Sequence, residues 1–365
     1  MITRLSATQP PRIVSSSHCL TSVGQSLHSF CESVPNKLCG NSVNAEECRF
    51  AQKGHQNRPW ATQGPSLGNF ELCIGHGRRR HYNNPAITTP NATFLEAMAW
   101  MRSGALIDAH VHFYSAFDTQ RFLDSAIAGF ACQAENSAAR VLCMAESAAD
   151  NWFGSLGNPE TLAETNWQCV PTDEQQSVRL VRQTDSADLL VIAGHQCVAE
   201  ENVEVLTLGQ HQKQPDGAPA RQVIEATLAA KAIPLLPWGF GKWLGSRGEL
   251  VDSLLNHFGQ ELLVGDNSGR LGGTPEPALL ERARTRGHCM LPGSDPLPMA
   301  GEEHKVASFG CFIEGEISNS TPFADLKRLL ASEARPEPFG RGETVMRFLR
   351  NQLLMQKRKR WPAHA

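Results

Sequence analysis

Ala105-Leu106-Ile107-Asp108-Ala109-His110-Val111-His112 is the stretch that decides how this chain is read. The apolar run Ala105-Leu106-Ile107 predicts a buried strand, and in an extended segment residues two apart point to the same side. His110 and His112 therefore project together from the end of that strand, where both can face one cation. Imidazole nitrogen is a common ligand for zinc and other borderline metals, and neither histidine is needed to fill a core. Asp108 is placed to ligate weakly or to orient the pair from behind. The plain alternative is a polar strand end with two solvated or hydrogen-bonded histidines. A helix-like stretch directly after the motif favours the metal reading.

Downstream of this strand, apolar runs alternate with helical patterns, as in a parallel sheet with crossover helices. Further strands are predicted at Arg140 to Met144, Asp188 to Ala193, Val203 to Leu208, Ile233 to Pro237, Leu262 to Gly265 and Cys289 to Pro292. Helices are predicted at Thr119 to Gln133, Pro219 to Ala230, Arg247 to Phe258, Glu276 to Arg286, Pro322 to Ala334 and Glu343 to Lys357. Gly259 and Gly287 stand where helix C-caps are expected. Gln168 to Gln210 is strand-rich without a clear helix and interrupts the alternation. No internal repeat of fixed period is present. The expectation is an α/β fold: a (β/α)7–8, TIM-barrel-like domain over residues 98–365.

Upstream, residues 1–97 are rich in Ser, Asn, Gln, Pro and Gly and lack helical or strand periodicity, which predicts a disordered extension. An acid-poor, Ser-rich start resembles an organelle transit peptide without its Arg-rich amphipathic helix. An over-extended start, with Met98 or Met101 as the working initiator, is the other reading. Charge divides with the text. Residues 1–97 carry nine Lys/Arg against five Glu, or +4, and the remainder carries 25 against 32, or −7. The mildly acidic portion gives no reason to expect nucleic acid. The basic run Lys357-Arg358-Lys359-Arg360 reads as a solvated tail. No apolar run reaches the length of about 18 residues needed for a membrane span, and no membrane partner is expected. The 11 cysteines form no CxxC pair or regular framework, so a reducing, cytoplasmic location fits.

In barrels of this kind, active sites gather on the loops after the strands. Reading there gives Glu146 after the second strand, then His195 and Gln196 after the third. Trp238, Lys242 and, further on, Arg247 follow the strand ending at Pro237. Gly265-Asp266-Asn267-Ser268-Gly269-Arg270 and Gly293-Ser294-Asp295 follow the last two. Polar, metal-capable side chains recurring at one end of nearly every strand are hard to explain by stability, and they point to an enzyme. Each also has a plainer reading. Glu146 could serve a helix N-terminus, Asp266 an Asx turn, and Trp238 rim packing. Gly239-Phe240-Gly241-Lys242 lacks P-loop spacing, and no Gly-x-Ser-x-Gly elbow occurs.

These residues resemble the metal-dependent hydrolases of the amidohydrolase and PHP (polymerase and histidinol phosphatase) superfamilies, which carry an HxH on the first barrel strand. The resemblance covers roughly residues 104–315 and is specific at its two ends. It implies that His110 and His112 are metal ligands. It also implies that Asp295 both ligates the metal and takes a proton from the attacking water. The mid-barrel bridging residue and the later histidines of the amidohydrolase pattern have only Lys242 and His195 as stand-ins, outside any recognisable motif.

The function expected is thus hydrolysis of a small ester, amide or phosphoester by a water activated on a divalent metal, zinc or manganese. His110, His112, Asp295 and His195 would hold the metal, and Asp295 or Glu146 would act as base. Lys242, Arg247 and Arg270, with Trp238 and Asp266, would hold the substrate. A barrel that has lost catalysis and serves as a binding or scaffold protein is the alternative, and a lyase or decarboxylase on the same site is a third. Homo-oligomerisation is compatible with either.

Overall fold

The structure, a computed structural model, describes residues 103–133, 138–332 and 335–360. The predicted extension over residues 1–97 and both alternative initiators lie outside them.

The chain opens on β1 (Gly104–Val111) and α1 (Thr119–Ala131), followed by β2 (Ala139–Met144) and the single turn α2 (Trp152–Ser155). Three short strands come next: β3 (Trp167–Pro171), β4 (Ser177–Arg182) and β5 (Asp188–Ile192). Then come β6 (Gly194–Val198), β7 (Glu204–Leu208), α3 (Ala220–Ala229), β8 (Ile233–Pro237), α4 (Ser246–Phe258) and β9 (Leu263–Gly265). The chain continues through α5 (Ala278–Thr285), β10 (Phe309–Glu314), α6 (Pro322–Leu330), β11 (Glu337–Gly340) and α7 (Val345–Arg360).

The strands form two open sheets rather than a (β/α) barrel of parallel strands. One has the order β11-β10-β1-β2-β5-β4-β3 and the other β6-β7-β8-β9. Parallel pairing is confined to β1 with β2, β2 with β5, and β8 with β9; every other ladder is antiparallel. The physical reason lies in the helix-free stretch Gln168 to Gln210. A parallel crossover needs a dozen or more residues, usually helical, and here only short connections are available, so β3, β4 and β5 pair as hairpins. The segment Cys289 to Pro292, expected as a strand, forms only isolated bridges beside β9, such as Val264 with Met290.

The two sheets meet through single bridges. Glu146 donates its amide to the Gly194 carbonyl at 3.0 Å, and Gln196 donates to the Glu146 carbonyl at 2.9 Å. At the other side, Ala109 donates to the Pro292 carbonyl at 3.2 Å and Asp295 donates to that of His110 at 2.9 Å. Gly194 is required at the first junction, because a Cβ there would stand 2.2 Å from the Met144 carbonyl oxygen.

Ile107, Ala109, Val141, Cys143, Leu206, Leu235 and Leu263 fill the space between the sheets. A second core lies under α1, which starts on Asp118 accepting the Arg121 amide and presents Phe122, Leu123, Ala126 and Phe130 to the sheet. Phe122, Leu123 and Phe130 each contribute about 1.5–3 kcal/mol by leaving water. A third core, under α3, α4 and α5, includes Trp238 and Trp243.

Candidate metal centre

The histidine pair owes its direction to an irregularity in β1. Ile107 and Ala109 pack between the sheets, whereas Leu106 packs in the core under α1. Strict alternation from Leu106 would turn Val111 inward. Val111 instead joins Leu106 in the core under α1, and the β1–β2 register shifts between Asp108 and Val111. A one-residue slip of this kind re-aims the side chains beyond it. His110 and His112 therefore leave the direction set by Asp108 and meet, with ring centroids 4.9 Å apart.

Asp295 completes the group. It follows Gly293-Ser294, and each of the three residues has a separate geometric duty. Gly293 passes so close to β1 that a Cβ would lie 2.3 Å from the His110 nitrogen. Ser294 donates its amide and its hydroxyl to the Asp108 carboxylate, which also accepts the Ala307 amide at 2.8 Å. Asp295 itself takes a left-handed conformation with φ of 46°. Such conformations are uncommon for non-glycine residues and cluster at functional sites.

Among the described residues, His110, His112 and Asp295 are the one group whose ligand atoms converge. The two Nε2 atoms are 3.0 Å apart, and Asp295 Oδ1 lies 3.6 Å from His110 Nε2 and 3.5 Å from His112 Nε2. For a tetrahedral ion held at about 2.0–2.1 Å, ligand atoms stand roughly 3.4 Å from one another, so the measured triangle brackets the required spacing. Gln196 Oε1 is a further 3.2 Å from His110 Nε2. The two Nε2 atoms carry at most one proton each, and if both were protonated they would repel at 3.0 Å, so hydrogen bonds alone do not satisfy this cluster. A cation among them can, so the donor set fits a divalent metal.

The electrostatics agree. Burial, reinforced by His110, pushes His112 down to about 3, so its ring keeps a free lone pair at working pH. The ring stacks on Tyr114 with centroids 5.3 Å apart, and its Nδ1 has no hydrogen-bond partner among the described residues. Burial alone would raise the Asp295 carboxyl. His110, His112, Lys242 and Lys305 outweigh it and hold that group below its ordinary value, so it stays an anion. Asn267 donates from Nδ2 to Asp295 Oδ2 at 2.9 Å and to the Trp238 carbonyl at 2.8 Å, which fixes the carboxylate.

His195 does not join the group: its Nε2 meets the His211 carbonyl, and burial keeps the ring below its ordinary pKa. Its neighbour Gln196 does join, because successive strand residues face opposite ways. Asp266 receives Arg270 through several hydrogen bonds and Asn267 turns toward Asp295 instead. Glu146 is buried, with Oε1 accepting the Phe153 amide at 2.6 Å and Oε2 making no hydrogen bond among the described residues. Arg247 donates to the Gly241 carbonyl, and Trp238 packs in the third core. Lys242 pairs with Glu204; burial would lower its pKa, but Glu204 and Asp295 hold it above the usual lysine value. Gln196 and Asn267 stand in stretches the sequence points to, yet nothing in the sequence gives either of them a role at the site. Both sit beside a more conspicuous residue, and only the strand and turn geometry separates each from its neighbour.

No family model matches the chain, and no curated protein matches it. Among solved structures, it is similar to PsfC from Pseudomonas syringae PB-5123, at 15% identity and a TM-score of 0.38, over 70% of this chain and 98% of that one. It is also similar to a two-domain protein from Bacteroides vulgatus ATCC 8482 described as containing a predicted PHP-like metal-dependent phosphoesterase. There the identity is 10% and the TM-score 0.37, over 65% of this chain and 64% of that one. Likenesses of this size carry no weight for function, and the chemistry rests on the site's own atoms.

Proposed function

We propose that the chain is a metal-dependent hydrolase acting on a small ester, amide or phosphoester. The observation that carries this is the triangle of His110 Nε2, His112 Nε2 and Asp295 Oδ1, with sides of 3.0, 3.5 and 3.6 Å. Two imidazoles and a carboxylate would hold the ion and leave a position open, the ligand count of catalytic rather than structural zinc sites. Zinc or manganese held there would supply Lewis acidity and lower the pKa of a water toward neutrality.

The protein's own groups would do the rest. Asp295, whose Oδ2 accepts from Asn267, would be the carboxylate that takes up a proton. Lys242 keeps its charge beside Asp295 and would hold an anionic part of the substrate. Gln196 offers its amide at the rim of the histidine pair. Arg270 is engaged by Asp266, so a role with substrate would require that pair to open.

Elemental analysis of purified protein tests the reading. The expected result is about one tightly held ion per chain, lost in His110→Ala/His112→Ala together with hydrolysis of generic esters or phosphoesters. A folded, metal-free, inactive protein would instead favour a binding or scaffold protein without catalysis.

A further inference from the structure

The last helix, α7, is packed on one side only. Phe348 meets Phe240 edge-on at 5.0 Å, and buried Asn351 donates to Glu343 Oε1 at 2.8 Å. Opposite them, Val345, Met346, Leu349 and Leu353 are 56, 78, 45 and 67% exposed. At 100° per residue these four fall within about 100° of arc, a continuous apolar stripe facing away from the domain. Exposed Arg350 borders it. From Val345 to Arg360 the helix carries Arg347, Arg350, Lys357, Arg358, Lys359 and Arg360 and no acidic residue.

We propose that this face of α7 docks on an anionic lipid surface. An apolar stripe flanked by basic residues is the pattern of a helix lying in a membrane interface, and basic residues near an anionic leaflet add attraction. The uniform positive charge disfavours a second copy of the chain, since pairing stripe to stripe would bring like charges together. A groove that wraps a helix is disfavoured because Phe348 and Asn351 already commit the inner face. A flat surface needs only the outer one. No helix among the described residues is long and apolar enough to cross a membrane, so the mode is docking and not spanning. The sequence reading expected no membrane partner and took the basic run for a solvated tail. What the structure adds is the exposure of the stripe beside it.

Co-sedimentation of the full chain with vesicles tests this. Binding is expected with phosphatidylcholine/phosphatidylserine vesicles, weakening as salt rises, and not with phosphatidylcholine alone. Leu349→Glu/Leu353→Glu should lose at least about tenfold in partitioning with the melting temperature unchanged, and so should Lys357→Gln/Arg358→Gln/Lys359→Gln/Arg360→Gln. Three results would overturn the proposal. They are a full chain that ignores anionic vesicles, equal binding to neutral ones, or variants that bind as the parent does. Sedimentation showing that Leu349→Glu/Leu353→Glu turns a dimer into a monomer would assign the stripe to a second copy, and the lipid proposal would fail. Tight binding of an acidic helical peptide without vesicle binding would likewise assign it to a protein partner.

Discussion

Ser294 donates both its backbone amide, at 2.8 Å, and its hydroxyl, at 2.5 Å, to the carboxylate of Asp108, 186 residues earlier. This clamp ties the segment carrying Asp295 to the strand carrying the histidines, so the candidate ligands are brought together by a buried hydrogen-bonded acid that is not itself one of the converging three. Burial raises Asp108 to about 6, against the hydrogen bonds from Ser294, Ala307 and His110 that favour its anion.

Ser294→Ala should destabilise the protein by about 1–3 kcal/mol, the cost of removing a donor from a buried acceptor. Gly293→Ala should do more damage to the site, because its new methyl would have to displace the His110 backbone. Urea unfolding reads the first effect. For the second, the expected outcome is a folded protein with weakened metal retention, read by dialysis against a chelator.

Asn267→Ala should weaken metal binding by roughly 10- to 100-fold, as loss of an orienting partner commonly does. The Trp238 carbonyl also loses a donor in this variant. Asn267→Asp, which would put a second carboxylate beside Asp295 Oδ2, should push that oxygen away and weaken binding as well. Competition with a chromogenic chelator measures both, and unchanged affinity in both would remove Asn267 from the site.

Lys305 lies between Glu302 and Glu343 in a nearly dry cluster, 2.8 Å from Glu343 Oε1 and 3.9 Å from Glu302 Oε2. Arg347 reaches the same two acids from the helix surface. Lys305→Met should cost about 3 kcal/mol or more, since it leaves the buried Glu343 carboxylate without its nearest cation. Denaturant midpoints at neutral pH provide the check. A smaller loss would mean that Arg347 suffices to compensate.

Glu146 supports a pH prediction. Burial holds its carboxyl above its ordinary value of 4.5, while the Phe153 amide pulls the other way. A folded-state pKa raised above the unfolded one contributes stability at low pH, and that contribution is lost as pH rises through the folded value. The parent should therefore lose stability relative to Glu146→Gln as pH climbs from 4.5 toward neutrality. Paired unfolding curves across that range test the sign. The same variant separates the two candidate bases, since retained hydrolysis would leave Asp295 as the proton acceptor.

Much of the architecture was legible from local pattern. The six predicted helices all form, each with ends within a few residues of the expectation; the helix starting at Pro322 runs to Leu330 rather than Ala334. Six of the seven predicted strands form, and the seventh is reduced to bridges. The antiparallel strand β10, which pairs with β1 from Gly104 to Ile107, was not anticipated. Its sequence Phe309-Gly310-Cys311-Phe312-Ile313-Glu314 is too short to declare a partner. Which strand a segment pairs with depends on residues far away in the chain.

The sequence by itself determined that two imidazoles leave one strand and that a carboxylate follows a late strand-like segment, because side-chain period and turn chemistry are local properties. Only the tertiary structure decided that they converge. The slip after Asp108 turns the histidines, the Gly293 contact admits the second segment, and the Asp108–Ser294 clamp sets its height. Likewise Gln196 and Asn267, rather than His195 and Asp266, face the group. A one-residue change in phase reverses which side chain points where, and that phase is set by long-range backbone pairing, which no local pattern contains.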